Sequence, residues 1–86
     1  MKENKTVKLF ALSTCIHCRH ARTFLEDNGA ELDVHYVDLL SDDERDVVLY
    51  DMRRYNEALS FPTMVFADGT VVIGFQEDAM REALGL

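Results

Sequence analysis

The chain has 86 residues and a formal net charge of −7, from 16 acidic and 9 basic residues. Its hydrophobic fraction of 48% and charged fraction of 29% are typical of one soluble globular domain, which we expect to span residues 1–86. The acid surplus argues against nucleic acid as a partner, because nucleic-acid binders need a basic patch. No apolar run approaches the roughly 18 residues of a membrane span. The residues after Met1 contain no continuous apolar core, so we do not expect a signal peptide. We therefore expect a cytoplasmic monomer without a membrane partner.

The first predicted elements surround a pair of cysteines. Val7–Leu12 is an apolar run that predicts a buried strand. Apolar residues at helical spacing follow the cysteines, and Asn28-Gly29 favours the end of that helix. Asp33–Asp38 alternates polar and apolar residues, which predicts a half-buried strand with Asp38 as its solvated end.

A second helix is predicted from a capping box. Ser41 and Glu44 have the spacing at which a serine oxygen and a carboxylate satisfy opposite amide groups at a helix start. The helix is expected to fray near Asn56. Tyrosines more often pack than bind, so Tyr50 in this helix is expected to contact the core or its rim, as are Tyr36 and Tyr55.

The last part of the chain predicts a hairpin and a short helix. Thr63–Ala67 and Thr70–Ile73 are β-rich runs joined by Asp68-Gly69, a strong hairpin signal. Gln76–Leu84 then has helical spacing. The element order β-α-β-α-β-β-α predicts a four-stranded mixed sheet flanked by three helices, with the first two strands parallel and the last two antiparallel.

The motif Cys15-Ile16-His17-Cys18 carries the predicted chemistry. It lies where a strand ends and a helix begins, and a helix N-terminus favours an anion such as a thiolate. Cys15 precedes the helix and is expected to be the exposed, attacking thiolate. Cys18 lies one helical turn inside. It is expected to resolve the mixed disulfide that Cys15 forms with a substrate. An imidazolium at His17 would stabilise the reduced thiolate.

These features resemble the thioredoxin superfamily, and the chain is similar in size to a glutaredoxin. The resemblance covers about Thr6 to Leu86. Its three motifs are Cys15-Ile16-His17-Cys18, Ser60-Phe61-Pro62-Thr63 before the hairpin and Gly74-Phe75-Gln76-Glu77-Asp78 after it. It implies an α/β thioredoxin-like (glutaredoxin) fold and a thiol–disulfide oxidoreductase acting on disulfide-containing proteins. The expected substrate-binding residues are His17, Phe61, Pro62, Thr63, Gly74 and Phe75.

The resemblance also implies a cis proline facing the cysteines. Pro62 is the only proline in the chain and lies at the entrance to a predicted strand. Cis peptide bonds are nearly confined to the bond before proline. A bend there would expose the backbone of Phe61 for pairing with an extended substrate. A trans proline at the first position of a strand is the ordinary alternative.

Several residues depart from typical glutaredoxins, so the electron donor stays open between glutathione and a separate redoxin reductase. Leu12 stands where glutaredoxins carry a lysine that pairs with a glutathione carboxylate. Gly74-Phe75 stands where they have a double glycine. This pair resembles the corresponding residues of glutaredoxin-like redoxins that receive electrons from a dedicated reductase. Arg19, His20 or Arg22 could supply an anion contact instead, or could be plain surface charge.

Three alternatives accompany this interpretation. Cys15, His17, Cys18 and His20 form a Cys/His cluster, but half of an ordinary zinc site is missing, so no metal is expected. A dimer could bridge an iron–sulfur cluster through Cys15 if glutathione supplied two ligands. A protein delivering electrons to one docked partner would use the same cysteines. No bound cofactor is expected.

Overall fold

The computed structural model describes residues 5–86 and contains the predicted order of strands and helices. No helix in this part of the chain is long and apolar enough to cross a membrane. The elements are β1 (Thr6–Ala11), α1 (Ile16–Asp27), β2 (Glu31–Tyr36), a short 3-10 helix (Val37–Leu39), α2 (Asp42–Arg53), β3 (Thr63–Phe66), β4 (Val71–Ile73) and α3 (Glu77–Ala83).

The four strands form one mixed sheet in the order β2-β1-β3-β4. β1 runs parallel to β2, with Ala11 opposite Tyr36 at the end of the pair. It runs antiparallel to β3, and β3 pairs antiparallel with β4. The predicted sheet is therefore confirmed. β1 is a central strand, and the loop that leaves its carboxyl end leads to the cysteines, as expected for a site in an α/β sheet.

The two faces of the sheet are covered by different helices. Val7, Leu9 and Ala11 of β1 belong to a buried cluster that includes residues of α1 and α3. On the opposite face Lys8 forms a salt bridge of 3.0 Å with Asp51 of α2. Because side chains alternate along a strand, β1 contacts α1 and α3 on one face and α2 on the other. Each fully buried Leu or Phe contributes about 1.5–3 kcal/mol to this packing, so β1 is a firmly packed support for the loop that carries the cysteines.

The second strand ends two residues earlier than predicted. Val37 and Asp38, expected in the strand, lie in the 3-10 helix instead. Arg45 of α2 explains the change, because its Nε donates to the Val37 carbonyl at 3.0 Å and its Nη2 donates to the Leu40 carbonyl at 2.9 Å. These carbonyls are satisfied by a side chain, so the backbone can leave the sheet without losing hydrogen bonds.

The second helix begins as predicted but packs differently. The amide of Glu44 donates to Ser41 Oγ at 3.2 Å and the amide of Ser41 donates to the Glu44 carboxylate at 3.2 Å, which confirms the capping box. Met52 is buried, whereas Tyr50 is 72% exposed, so the packing prediction for Tyr50 is wrong. Only a narrow stripe of α2 faces the protein, and Tyr50 lies outside it.

The hairpin forms around the predicted turn. The amide of Phe66 donates to the Thr70 carbonyl at 2.8 Å, and the amide of Gly69 donates to the Phe66 carbonyl at 2.9 Å. Gly69 has a φ of +93°, a left-handed conformation that glycine adopts without steric cost. The turn thus fixes the register of β3 and β4, and with it the position of the segments before and after the hairpin.

Candidate active site

The loop between β1 and α1 is held by a carboxylate from the 3-10 helix that follows β2. The backbone amide of Ser13 donates to Asp38 Oδ1 at 2.9 Å, and the Ser13 hydroxyl donates to Asp38 Oδ2. These two hydrogen bonds lower the pKa of Asp38. Asp38 is exposed, as expected for a solvated strand end, but its bonds to Ser13 were not predicted from the sequence. Asp38 fixes the chain two residues before Cys15.

Cys15 is the N-cap residue of α1. Its sulfur accepts a hydrogen bond of 3.2 Å from the backbone amide of Cys18. The first turn of α1 contains no acidic residue. An N-cap with a free amide donor and an uncompensated helix dipole stabilises negative charge on its side chain. The side chain is also partly exposed, so a thiolate formed here can reach a disulfide.

Cys18 occupies a different environment one helical turn away. It is 2% exposed and lies in the buried cluster beneath α1. Burial raises the pKa of the Cys18 thiol to about 12, and the hydrogen bond with Cys15 and the charge of Asp38 act in the same direction. Both cysteines are free thiols. The pair is thus asymmetric, with one accessible sulfur and one protonated, covered sulfur.

The segment before β3 lies at the same end of the sheet. Thr63 pairs with Phe10 of β1, so the residues before Thr63 lie level with the loop that carries the cysteines. The peptide bond between Phe61 and Pro62 is cis, which confirms the prediction for this bond. Within residues 5–86 neither the amide nor the carbonyl of Phe61 has a hydrogen-bond partner. Both groups can therefore pair with a substrate backbone.

The side chains of Pro62 and Thr63 are fully buried. The Thr63 hydroxyl accepts a hydrogen bond from Asn56 Nδ2 at 2.9 Å and donates one to the Ser60 carbonyl at 2.8 Å. The Thr63 side chain therefore stabilises the loop, and substrate contact by this residue remains a prediction. Sequence spacing could not show this, because Asn56 and Thr63 meet only after the chain reverses.

Gly74 and Phe75 link the end of β4 to the rest of the site. Gly74 has a φ of +82°, and its amide donates to the Pro62 carbonyl at 2.8 Å. The Phe75 ring contacts the rings of His20 and Phe24, with centroids 5.8 and 6.4 Å apart. Phe75 therefore packs against α1, and substrate contact by either residue remains a prediction.

His17 lies in the first turn of α1 with an exposed side chain. In the described part of the chain its imidazole forms no hydrogen bond or ion pair. The structure therefore gives it no fixed partner, and its influence on the Cys15 thiolate remains a prediction based on charge and proximity.

A cavity of about 260 Å³ opens on the other side of Cys15, toward β2. Its polar wall includes Arg19, Arg22, Glu26 and Tyr36. Arg22 Nη1 donates to the Tyr36 hydroxyl at 2.6 Å and its Nε to Glu26 at 3.1 Å, and these contacts raise the pKa of Arg22. The sequence interpretation proposed Arg19 and Arg22 near the cysteines but missed Glu26 and treated Tyr36 only as packing.

No group of three or more His, Cys, Asp or Glu side chains in residues 5–86 is arranged to hold a metal ion. Cys15 lies at the N-cap, and Cys18 is buried beneath the helix. His17 and His20 are exposed on the same helix. The zinc alternative therefore gains no support from the positions of these ligands.

Comparison with known proteins places the chain in a family. The family model described as Glutaredoxin matches residues 7–72. This chain belongs to the glutaredoxin family. Glutaredoxins are thiol oxidoreductases, and Cys15 and Cys18 of this glutaredoxin form the close cysteine pair that such chemistry uses. No match was found among curated protein sequences.

Solved structures confirm the thioredoxin-like fold of this glutaredoxin. Methanoredoxin of Methanosarcina acetivorans is similar with 30% identity and a TM-score of 0.89, covering 100% of this chain and 97% of that chain. The glutaredoxin of Methanosarcina mazei Go1 has 35% identity and a TM-score of 0.86, covering 96% and 84%. NrdH-redoxin of Escherichia coli has 16% identity and a TM-score of 0.66, covering 88% and 92%, and shares the fold alone.

Proposed function

We propose that this glutaredoxin is a dithiol–disulfide oxidoreductase. Its proposed substrates are protein disulfides and the mixed disulfides that proteins form with glutathione. The observation that carries the proposal is the asymmetry of the cysteine pair. Cys15 is a partly exposed N-cap whose sulfur accepts the Cys18 amide. Cys18 is covered and has a pKa raised to about 12. Cys15 is suited to attack the substrate disulfide, and Cys18 stays protonated until it resolves the mixed disulfide.

The reaction proceeds in two exchanges. The Cys15 thiolate attacks one sulfur of the substrate disulfide, forms a mixed disulfide, and releases the other sulfur as a thiolate that takes a proton from solvent. Cys18 then loses its proton and attacks the Cys15 sulfur. The second substrate sulfur leaves as a thiol, and Cys15 and Cys18 share the new disulfide. Two electrons pass from the protein to the substrate.

The structure suggests how resolution follows attack. Two of the causes that raise the pKa of Cys18 come from Cys15, namely its hydrogen bond and its charge. Both are lost when the Cys15 sulfur enters a mixed disulfide. The Cys18 proton is therefore released more easily after the first exchange than before it, which favours resolution of the correct intermediate.

Substrate binding is proposed along the cis-proline segment. The free amide and carbonyl of Phe61 would pair with an extended substrate strand, as in other cases of strand addition. The bond from the Gly74 amide to the Pro62 carbonyl holds this segment to the turn after β4. The partners proposed are disulfide-containing proteins, and we propose a cytoplasmic monomer that binds neither nucleic acid nor membranes.

Trapping of the intermediate tests the assigned roles. The Cys18→Ser protein should accumulate a mixed disulfide with a model substrate, visible as an added mass on the intact chain. The double variant Cys15→Ser, Cys18→Ser is the matched control and should trap nothing. A mixed disulfide that forms through Cys18 in the Cys15→Ser protein at the same rate would contradict the assignment.

Two electron donors are proposed with equal standing, glutathione as the first candidate and a separate reductase as the second. Leu12 favours the second candidate, because it places no cation in the loop before Cys15. Disulfide reduction with glutathione and glutathione reductase as the sole electron source separates the two. Turnover there supports glutathione. No turnover, with activity retained under a dithiol donor, assigns the protein to redoxins fed by a separate reductase.

A further inference from the structure

Two hydrogen bonds hold the turn that follows β4. The amide of Gly74 donates to the Pro62 carbonyl at 2.8 Å, and Gln76 Nε2 donates to the Ile73 carbonyl at 2.6 Å. The first bond ties the turn to the residue directly after Phe61, whose amide and carbonyl are the proposed substrate-binding groups. The position of this turn therefore helps to set the position of the Phe61 backbone.

The Phe75 side chain joins this turn to α1. Its ring lies edge-to-face with the rings of His20 and Phe24, at centroid distances of 5.8 and 6.4 Å and interplanar angles of 60° and 72°. His20 and Phe24 are four residues apart, the spacing of neighbours on one side of a helix. Rings at such angles and within about 4.5–7 Å attract each other beyond the effect of burial. His20, Phe24 and Phe75 thus form an aromatic cluster between α1 and the turn.

The three members of the aromatic cluster differ in their other contacts. Phe24 and Phe75 are partly buried and pack against the hydrophobic core. The His20 side chain is exposed, and within residues 5–86 its imidazole forms no hydrogen bond or ion pair. Its ring contact with Phe75 can therefore be removed without opening the core.

The helix α1 carries both the attacking sulfur and two rings of the aromatic cluster. Cys15 is the N-cap of α1, five residues before His20. A series of contacts therefore runs from the helix of the nucleophile, through Phe75 and its turn, to the backbone next to Phe61. Reacting atoms must be held in a narrow geometry, and a misplacement of about 1 Å can cost about a hundredfold in rate.

We propose that His20 is a positioning residue for extended peptide disulfides. Through Phe75 it sets the backbone of Phe61 where a peptide must pair with it for the peptide sulfur to reach Cys15. This inference rests on the proposed function and names its substrate class, a disulfide whose cysteine lies in an extended backbone. A small disulfide has no backbone to pair, so its reduction does not depend on the aromatic cluster.

The experiment compares a peptide disulfide with a small disulfide in single turnovers. The peptide probe is the symmetric disulfide of acetyl-Ala-Ala-Cys-Ala-Ala-amide, the small probe is 2-hydroxyethyl disulfide, and both are neutral. Each probe takes two electrons and two protons from the reduced protein and leaves as two thiols. Alkylation at intervals and the mass of the intact chain give the fraction oxidised, and hence a second-order rate constant. The peptide ratio is the constant for the peptide divided by that for the small probe.

Removal of ring contacts should lower the peptide ratio in steps. One aromatic pair is worth roughly two- to tenfold in an equilibrium constant, so His20→Ala should lower the ratio about threefold. Phe75→Ala removes both pairs and should lower it about tenfold. His20→Phe keeps a ring and should keep most of the wild-type ratio. The rate of Cys15 alkylation by iodoacetamide should change less than about twofold in each variant, because the N-cap is untouched.

His35→Ala is the matched control. It removes an imidazole that stacks on the Phe10 ring at 5.6 Å, on the face of the sheet where Lys8 contacts α2. It should change the peptide ratio less than about twofold, because distant sites without shared partners act independently. A ratio in His20→Ala no lower than that in His35→Ala would overturn the inference. Since His20 is exposed, this comparison decides the question even if Phe75→Ala does not fold.

Two further outcomes separate this inference from the proposed function. Wild-type protein that reduces neither probe contradicts the oxidoreductase function itself. Wild-type protein that reduces both, with the same peptide ratio in all the variants, retains the function and loses the positioning role of His20.

A methylated peptide tests the backbone pairing directly. The same peptide disulfide with every backbone amide nitrogen methylated cannot donate to the Phe61 carbonyl, so wild-type protein should reduce it about as slowly as Phe75→Ala reduces the unmethylated peptide. Equal wild-type rates for the methylated and unmethylated peptides would overturn the inference and leave the thiol exchange intact.

Discussion

The starts of α1 and α2 are built alike and serve different purposes. Both helices have twelve residues and a side-chain N-cap, Cys15 in α1 and Ser41 in α2. In both, the N-cap atom accepts the amide of the third helical residue, Cys18 or Glu44, at 3.2 Å. The Cys-x-x-Cys motif therefore occupies the same two positions as the Ser-x-x-Glu capping box.

The difference lies in the charge around each cap. α2 begins with Asp42, Asp43 and Glu44, which compensate its dipole, whereas the first turn of α1 has no acidic residue. Acids at a helix start stabilise the helix by about 0.3–1 kcal/mol each. α1 forgoes this stabilisation. Its free amide groups and uncompensated dipole remain available to a thiolate, so the reactive helix start is the less stabilised of the two.

Replacing the N-cap side chain of each helix should produce the largest difference between α1 and α2. Cys15→Ser keeps an oxygen cap and the helix but removes the nucleophile, so disulfide reduction should fall at least about a thousandfold. Ser41→Ala should leave reduction unchanged and lower the free energy of unfolding by about 1 kcal/mol. Urea unfolding and a reduction assay on both proteins measure this. A Cys15→Ser protein with more than a few per cent activity would contradict the contrast.

The third residue of α1 should make stability depend on alkaline pH. The pKa of Cys18 is raised from 9.0 to about 12, so the folded state holds a proton that the unfolded state loses. Stability from this group is complete below pH 9 and should decline as pH rises toward 12, at about 1 kcal/mol per pH unit. The difference in unfolding free energy between the reduced wild type and Cys18→Ser isolates the effect, and a pH-independent difference would refute it.

An acid placed in the first turn of α1 should make it resemble α2. His17→Glu puts a carboxylate beside the N-cap sulfur and should slow alkylation of Cys15 by iodoacetamide at neutral pH about threefold. Val47→Glu adds a carboxylate at a 70% exposed position of α2 and serves as the control. Equal alkylation rates in the two variants would show that local charge at the cap has no influence.

The 3-10 helix joins the two helix starts and allows a subtler test. Asp38 binds Ser13 before α1, while Arg45 of α2 holds the carbonyls on either side of Asp38. The negative charge of Asp38 helps to raise the pKa of Cys18, so Asp38→Asn should lower that pKa while keeping an acceptor for Ser13. Ultraviolet titration of the thiolate measures it, with Asp43→Asn as control. An unchanged Cys18 titration would exclude coupling.

Local patterns predicted most of this fold. The capping box at Ser41, the turn at Asp68-Gly69 and the position of Cys15 at a strand-to-helix junction each depend on neighbouring residues, and each is observed. The cis bond before Pro62 was predicted through the family resemblance. These features could be predicted from the sequence because the physical cause of each involves only a few neighbouring residues.

Contacts between distant segments could not be predicted in the same way. Asp38 and Ser13 are 25 residues apart, and they meet because each follows a strand of the same parallel pair. The burial of Thr63 depends on Asn56 across a loop. The exposure of Tyr50 depends on how little of α2 the sheet covers. Sequence spacing specifies none of these, since each needs the relative placement of two elements.

The covered position of Cys18 also bears on damage by peroxide. An oxidant reaches the partly exposed Cys15 first and converts it to a sulfenic acid. Cys18, one helical turn away and sheltered from the oxidant, can condense with that sulfenic acid and release water. The product is the same disulfide that ends the proposed catalytic cycle. Formation of this disulfide prevents further oxidation of Cys15 to the irreversible sulfinic acid. Reduction of the disulfide would then restore both thiols.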